Sequence, residues 1–293
     1  MNILLFGANG QLGTKLKSLL AAKGNVRAVD QDGLDLRDGA RLHALIRESQ
    51  PALIVNAAAY TAVDQAESDA ENARLVNAVA PRIMAECARE LQALLVHYST
   101  DYVFDGMASE PYDEASVTNP LGVYGITKLA GEYGVAASGA DYLTLRTAWL
   151  YSNHGKNFLN TMLRLAGERD ELRVVDDQTG SPTYSDLVAQ ATLDMLDGMY
   201  THGSVRRERC GLYHVSCAGQ TTWCGFARRI IELGGQGGRV RVTPITTADY
   251  PTPARRPAYS VLSNARLAQV FGIRLPDWQA GLEQCLAERS VRG

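Results

Sequence analysis

Cysteine is scarce: five residues in 293, none in a C-x-x-C pair. Cys210, Cys217 and Cys224 recur at steps of seven, which match no usual zinc site. A disulfide scaffold is therefore excluded, and buried free thiols in a reducing cytoplasm are expected. An excess of charge is also lacking. The net charge is −3, without the basic field of a nucleic-acid binder. No apolar run approaches the ~20 residues of a membrane span, and the opening "MNILLFGANG" has no basic start of a secretory signal. His97, His154 and His214 are scattered, and no His/Asp/Glu cluster has metal-ligand spacing, so no metal is expected.

What is present is alternation. "NILLF" (residues 2–6), "VRAVD" ending at Asp30, "ALIVNAAA" (52–59), "LLVHYS" (94–99) and "YLTLRTAWLY" (142–151) read as strands. Between them lie helical patterns: Leu12, Leu16, Leu19 and Leu20 on one face, a stretch holding His43, Leu45 and Ile46, a long helix over about 70–91, and one after Tyr124. Nearly continuous apolar strands alternating with helices predict an α/β fold, a Rossmann-type doubly wound parallel sheet covered on both faces. Residues 1–150 are expected to form this dinucleotide-binding domain. Residues 151–293 are expected to form mainly a smaller, irregular α/β substrate lobe, with some segments returning to the first domain. There the helical patterns "NFLNTMLRLAGE" and "SDLVAQATLDMLDGMY" mix with short strands and the proline-rich, basic "DYPTPARRPAYS".

The turn "GANGQLG" places Gly7, Gly10 and Gly13 between the first strand and the first helix. The spacing is G-x-x-G-x-x-G rather than G-x-G-x-x-G, but the strand–turn–helix context is the one a dinucleotide requires. Gly7 suits the tight strand exit, Gly10 a close pyrophosphate, and Gly13 close helix–sheet packing, with the helix N-terminus facing the phosphates. Asp30 lies about 20 residues on, where an acid bonds the ribose 2′-hydroxyl of NADH. Arg27 or Arg37 near it leaves NADPH open. Asp35 and Leu36 are placed to flank adenine, and "AAYT" (Ala58, Ala59, Tyr60, Thr61) ends the third strand at the sheet's carboxyl edge.

"PLGVYGITKLAGE" sets Tyr124 and Lys128 four residues apart, one helical turn, so they share a face. A tyrosine is a poor acid at neutral pH, and an ammonium within ~4–6 Å lowers its pKa. "YSTDYVFDG" brings Ser99 and Thr100 to the end of the fourth strand, where a hydroxyl can bond the tyrosine and a substrate oxygen. Such a set hands a proton to a carbonyl oxygen as hydride reaches its carbon. Trp149, at the end of an apolar strand, reads equally as core or as a stacking surface. Arg255 and Arg256, with Asn157, are candidates for a diphosphate contact or for bracing their own loops.

With GANGQLG, the strand-end STD and YGITK, the chain resembles the extended short-chain dehydrogenase/reductase superfamily. Within it, "IVNAAAYTAVDQAE", "HYSTDYVFDG", "NPLGVYGITKLAGE", "DDQTGSPTY" and "YPTPARRPAYSVL" resemble the dTDP-4-dehydrorhamnose reductase family over residues 1 to about 262. The resemblance implies an NADPH- or NADH-dependent reduction at C4 of dTDP-4-dehydro-L-rhamnose, the last step of dTDP-rhamnose synthesis. It implies Tyr124 as proton donor, Lys128 on the nicotinamide ribose, and Thr100 assisting. Thr100, Asp101 and Trp149 would contact the sugar nucleotide, with Asn157 and Arg256 as further candidates. Gly7, Gly10, Gln11, Leu12, Gly13, Asp30, Asp35, Leu36, Ala59, Tyr60 and Thr61 would line the cofactor site, with Tyr98 near the nicotinamide. Some such enzymes form dimers bridged by magnesium between acidic side chains. Here Lys15 falls in the corresponding "GTKL", so no bridging magnesium is expected, and a monomer or homodimer is. The partner is thus a small dTDP-linked sugar nucleotide, with no nucleic acid and no membrane. Thr100-Asp101-Tyr102 lacks the glutamate of a dehydratase "TDE"; a related epimerase/ketoreductase or a non-catalytic NAD(P)-binding regulatory subunit stays as an alternative.

Overall fold

The computed structural model describes residues 1–201 and 203–292. In chain order the first half runs β1 (Asn2–Phe6), α1 (Gln11–Leu20), β2 (Asn25–Val29), α2 (Gly39–Ser49), β3 (Leu53–Asn56), α3 (Val63–Ala66), α4 (Ala70–Arg74), α5 (Ala80–Leu91), β4 (Leu94–Thr100), α6 (Val123–Ala137) and β5 (Asp141–Thr147). It continues with β6 (Leu150–Tyr151), α7 (Phe158–Glu168), β7 (Glu171–Val175), β8 (Thr179–Gly180), β9 (Thr183–Tyr184), α8 (Ser185–Met199), β10 (Tyr200–Thr201), β11 (Ser204–Val205) and β12 (Gly211–His214). The chain ends with β13 (Thr221–Thr222), α9 (Trp223–Leu233), β14 (Arg241–Ile245), α10 (Ala265–Phe271) and α11 (Trp278–Arg292).

Six parallel strands form the central sheet in the order β2-β1-β3-β4-β5-β12. The chain leaves β1 to one side for β2 and crosses back to the other for β3, so the switch point lies between β1 and β3, where such sheets bind ligands. β1, β3 and β4 are almost wholly buried, which is why their sequences read as unbroken apolar runs. One face packs under α1 and α8 through Leu12, Leu16, Leu20, Val188 and Met195. The other packs under α2, α5 and α6 through Leu42, Ile46, Met84 and Val135. Five of the six strands come from the first half of the chain; β12 comes from the second and pairs with β5. A separate core of Leu159, Leu172, Phe226, Ile230, Trp278 and Leu282 joins α7, α9, α11 and β7, and β14 pairs with β7.

Three local expectations need correction. The long helix over 70–91 is broken by a π-helical segment, Leu75–Val79. It widens just ahead of Pro81, which has no N–H to return to the Asn77 carbonyl four residues back. The third strand stops at Asn56 rather than at residue 59, because the Asn56 side chain accepts the Ala58 N–H (3.2 Å) and bends the chain. The fifth strand stops at Thr147; Trp149 turns into the left-handed region (φ 45°), and pairing resumes only at Leu150–Tyr151, with β9.

Candidate active site

A cleft of about 1040 Å³ opens along the carboxyl edge of the sheet. It is lined from one end by Gly7, Gly10, Gln11, Leu12, Asp30, Asp35, Leu36, Ala59, Tyr60 and Thr61, and from the other by Thr100, Asp101, Tyr124, Lys128 and Trp149. The β1–α1 turn is built by close backbone approach. Gly7 has φ 75°, and a Cβ there would sit 2.6 Å from the Ala58 nitrogen. A Cβ on Gly13 would sit 1.9 Å from the Gly7 carbonyl oxygen, so Gly13 seats the helix on the turn and does not line the cleft. Gly10 is the N-cap of α1, so the start of that helix faces the cleft.

Asp30 directly follows β2, with both carboxylate oxygens oriented, one by the Asn9 N–H (2.6 Å) and one by the Gln31 N–H (3.0 Å). Asp35 takes a bidentate bond from Arg37 (2.6–2.9 Å), which holds its carboxyl below the usual range. Arg37 also donates to Asn72 (3.2 Å), so a guanidinium stands beside Asp30's end of the cleft. Asn77, carried by the π-helical segment, ties the two ends together. Its side chain accepts the Tyr60 N–H (2.9 Å), donates to the Tyr60 carbonyl (3.1 Å), and donates to Thr127 (3.2 Å) beside Lys128.

α6 begins at the cleft floor with its first N–H groups uncapped by its own sequence; Glu67 accepts the Val123 N–H instead (2.9 Å). Tyr124 and Lys128 follow on the cleft face. Lys128 is only 2% exposed and donates to the Tyr98 carbonyl (2.6 Å). Burial pulls its ammonium down to about 8, partly offset by Glu132 one turn on. Glu132 is itself buried, accepting from Ser99 (2.5 Å) and from both ends of the Arg146 fork (2.9 and 2.6 Å). The expected depression of the Tyr124 phenol by Lys128 is not found: burial pushes it up to about 12, with a Thr100 hydrogen bond opposing. The ammonium is spent on a backbone carbonyl instead. Tyr102 meets the Tyr124 ring edge-on (5.7 Å). Thr100 donates to Asp101 (3.1 Å), and burial pushes that carboxyl up to about 6.

The structure separates the remaining candidates. Tyr98 reaches the cleft, but its hydroxyl is turned under the sheet to Thr192 (2.7 Å), so its carbonyl is the group offered to Lys128. Asn157 is outside the lining; it caps α7 through Asn160 (2.9 Å) and donates to Gln11 (2.8 Å), a bond that steadies the start of α1. Arg256 is also outside it, paired with Asp64 (2.9 Å) and bracing its own loop. Lys15, in place of an acid, pairs with Asp186 (3.0 Å). Among the described residues no group of three His/Cys/Asp/Glu is placed to hold a metal, and no helix is long and apolar enough to cross a membrane. Sequence reasoning passed over Asn9, Asn72, Tyr102, Lys156 and Trp223, all of which line the cleft. Arg37, expected near Asp30, does line the cleft and is paired with Asp35. Trp223 carried no signal, because it lies 74 positions from the Trp149 it stacks on (223 − 149).

Comparison with known proteins agrees over the whole length. A family model described as the RmlD substrate binding domain matches residues 1–291. A dTDP-4-dehydrorhamnose reductase of Burkholderia thailandensis is 46% identical, with 98% of this chain and 99% of that protein aligned. A crystal structure of a dTDP-4-dehydrorhamnose reductase from Clostridium acetobutylicum superposes with a TM-score of 0.91 at 38% identity, covering 99% of this chain and 100% of that one. The Bacillus anthracis dTDP-4-dehydrorhamnose reductase, solved in complex with NADP, superposes at 0.89 with 36% identity, covering 98% of each chain.

Proposed function

The chain belongs to the RmlD substrate binding domain family, and from that membership we propose that it reduces the C4 keto group of dTDP-4-dehydro-L-rhamnose to give dTDP-L-rhamnose, using NADPH or NADH. The observation that carries the reading is the joining, in one cleft, of a glycine turn at a helix N-terminus with a buried Tyr124, Lys128 and Thr100 set.

The residues fit a nicotinamide dinucleotide. Gly10, Gln11 and Leu12 offer the α1 N-terminus to a pyrophosphate, and Asp30 has oriented oxygens for a ribose hydroxyl. Asp35, Leu36, Ala59, Tyr60 and Thr61 line that end, while Gly7 and Gly13 shape the turn. The bound dinucleotide supplies the hydride. Tyr124 supplies the proton: with its phenol held up to about 12 it is neutral over the working range of pH, and an alkoxide is basic enough to take its proton. Thr100 lines the cleft with the phenol, and its hydroxyl is oriented by Asp101. Lys128, charged below about pH 8, places a cation beside the site where negative charge develops and has donors for a ribose hydroxyl. Thr100, Asp101 and Trp149 hold the sugar end; Lys156, which lines the cleft, is the cation for the diphosphate in place of Arg256 and Asn157, which do not. The second half of the chain acts mainly as the substrate lobe, and the unpaired cysteines suit a cytoplasmic protein.

The test is NADPH and NADH oxidation with enzymatically prepared dTDP-4-dehydro-L-rhamnose. One cofactor oxidised per sugar reduced is expected. Turnover with no net oxidation would instead point to an epimerase.

A further inference from the structure

Trp149 is held in an unusual state. Its backbone adopts φ 45°, which L side chains rarely take. Its indole lies flat on that of Trp223, with ring centroids 3.6 Å apart and planes within 2°. Gly180 backs the same indole so closely that a Cβ would meet Cε2 at 2.3 Å. On the far side of the pair, Phe158 packs on Trp223 at 4.6 Å. Trp223 is itself anchored, because it opens α9 directly after Thr222, whose hydroxyl accepts the Gly225 N–H (2.9 Å) and donates to Asp176. A chain of contacts therefore runs from α7 and α9 in the second core to the end of β5, and both indoles line the cleft. Aromatic pairs in general favour offset or edge-on contacts over a face-to-face sandwich. Here a strained residue at the cleft wall is fixed from both sides, and the sequence brings all three parts together from distant segments.

We propose that Trp223 is a positioning residue for the sugar nucleotide: it acts through Trp149, fixing the wall that selects and orients the substrate beside Tyr124 and Thr100. The inference rests on the function proposed above. Trp223 takes no part in proton transfer, so its contribution falls on substrate binding. The alternative role, plain packing of the second core, predicts lost stability without a change in affinity.

The experiment compares wild type with Trp223→Phe, Trp223→Leu and Gly180→Ala. The protein has three tryptophans, and Trp278 is buried in the second core, so two stacked indoles dominate the near-ultraviolet circular dichroism as a coupled pair. That coupled signal is expected in wild type and lost in both Trp223 variants. KM for dTDP-4-dehydro-L-rhamnose is expected to rise roughly tenfold in Trp223→Leu and less in Trp223→Phe, with kcat and NADPH affinity near wild type. Gly180→Ala keeps Trp223 but pushes on the same ring, and is expected to raise KM likewise. A coupled signal that survives Trp223→Leu overturns the inference, as does unchanged KM in folded Trp223→Phe and Gly180→Ala. Wild-type protein that leaves the sugar unreduced overturns the proposed function instead, and the inference with it.

Discussion

The two ends of the cleft are made differently. The end that suits a dinucleotide is built from short segments read in order: the 7–13 turn, Asp30 with Asp35, and residues 58–61. Backbone supplies much of it, through N–H groups and glycines that let main chains touch. The end proposed for the sugar adds to the adjacent Thr100 and Asp101 side chains that meet across the fold: Trp149 on Trp223, with Gly180 behind them. A phosphate-binding turn works through local dihedrals, so its parts must be neighbours in sequence. A wall of rings works through packing, so its parts need only be neighbours in space. The first end should tolerate change in the second, and the second should be where substrate preference is set.

The sharpest test lies where the ends meet. Replacing Tyr124 by Phe is expected to lower kcat by about 10²–10⁴, with NADPH affinity unchanged by equilibrium titration. Loss of NADPH binding in that variant would merge the two ends into one. The pH profile comes next in size. Lys128 loses its charge as pH rises through about 8, so log kcat/KM is expected to fall above that point with a slope near one per unit. Residual activity of Lys128→Met should lack that inflection; an inflection that persists would assign it to another group. The smallest effect belongs to the cofactor end alone. Asp30→Ala removes an oriented carboxylate near Arg37, and is expected to shift the NADPH-to-NADH preference about tenfold toward NADPH with the sugar KM unchanged. A changed sugar KM there would break the contrast.

The buried pair of Glu132 and Arg146 beside Lys128 marks a second contrast. Lys128 pays for its position with a depressed ammonium and one carbonyl partner, whereas Glu132 and Arg146 satisfy each other within 2.6–2.9 Å and tie α6 to β4 and β5. The helix that carries Tyr124 and Lys128 is thus held by this buried pair.

Alternating apolar runs were enough to specify the doubly wound sheet, because a strand buried on both faces must be apolar throughout and each helix must turn one apolar stripe inward. The turn glycines, Asp30 and the Tyr124–Lys128 pair were legible for the same reason, since each is a local geometry in a stated context. Tertiary structure alone decided that β12 completes the sheet, that Trp223 lies on Trp149, that Arg256 and Asn157 turn to neighbours in the fold, and that burial rather than Lys128 governs the Tyr124 phenol. Those outcomes depend on desolvation and on contacts between residues far apart in the chain, and neither quantity exists until the chain is folded.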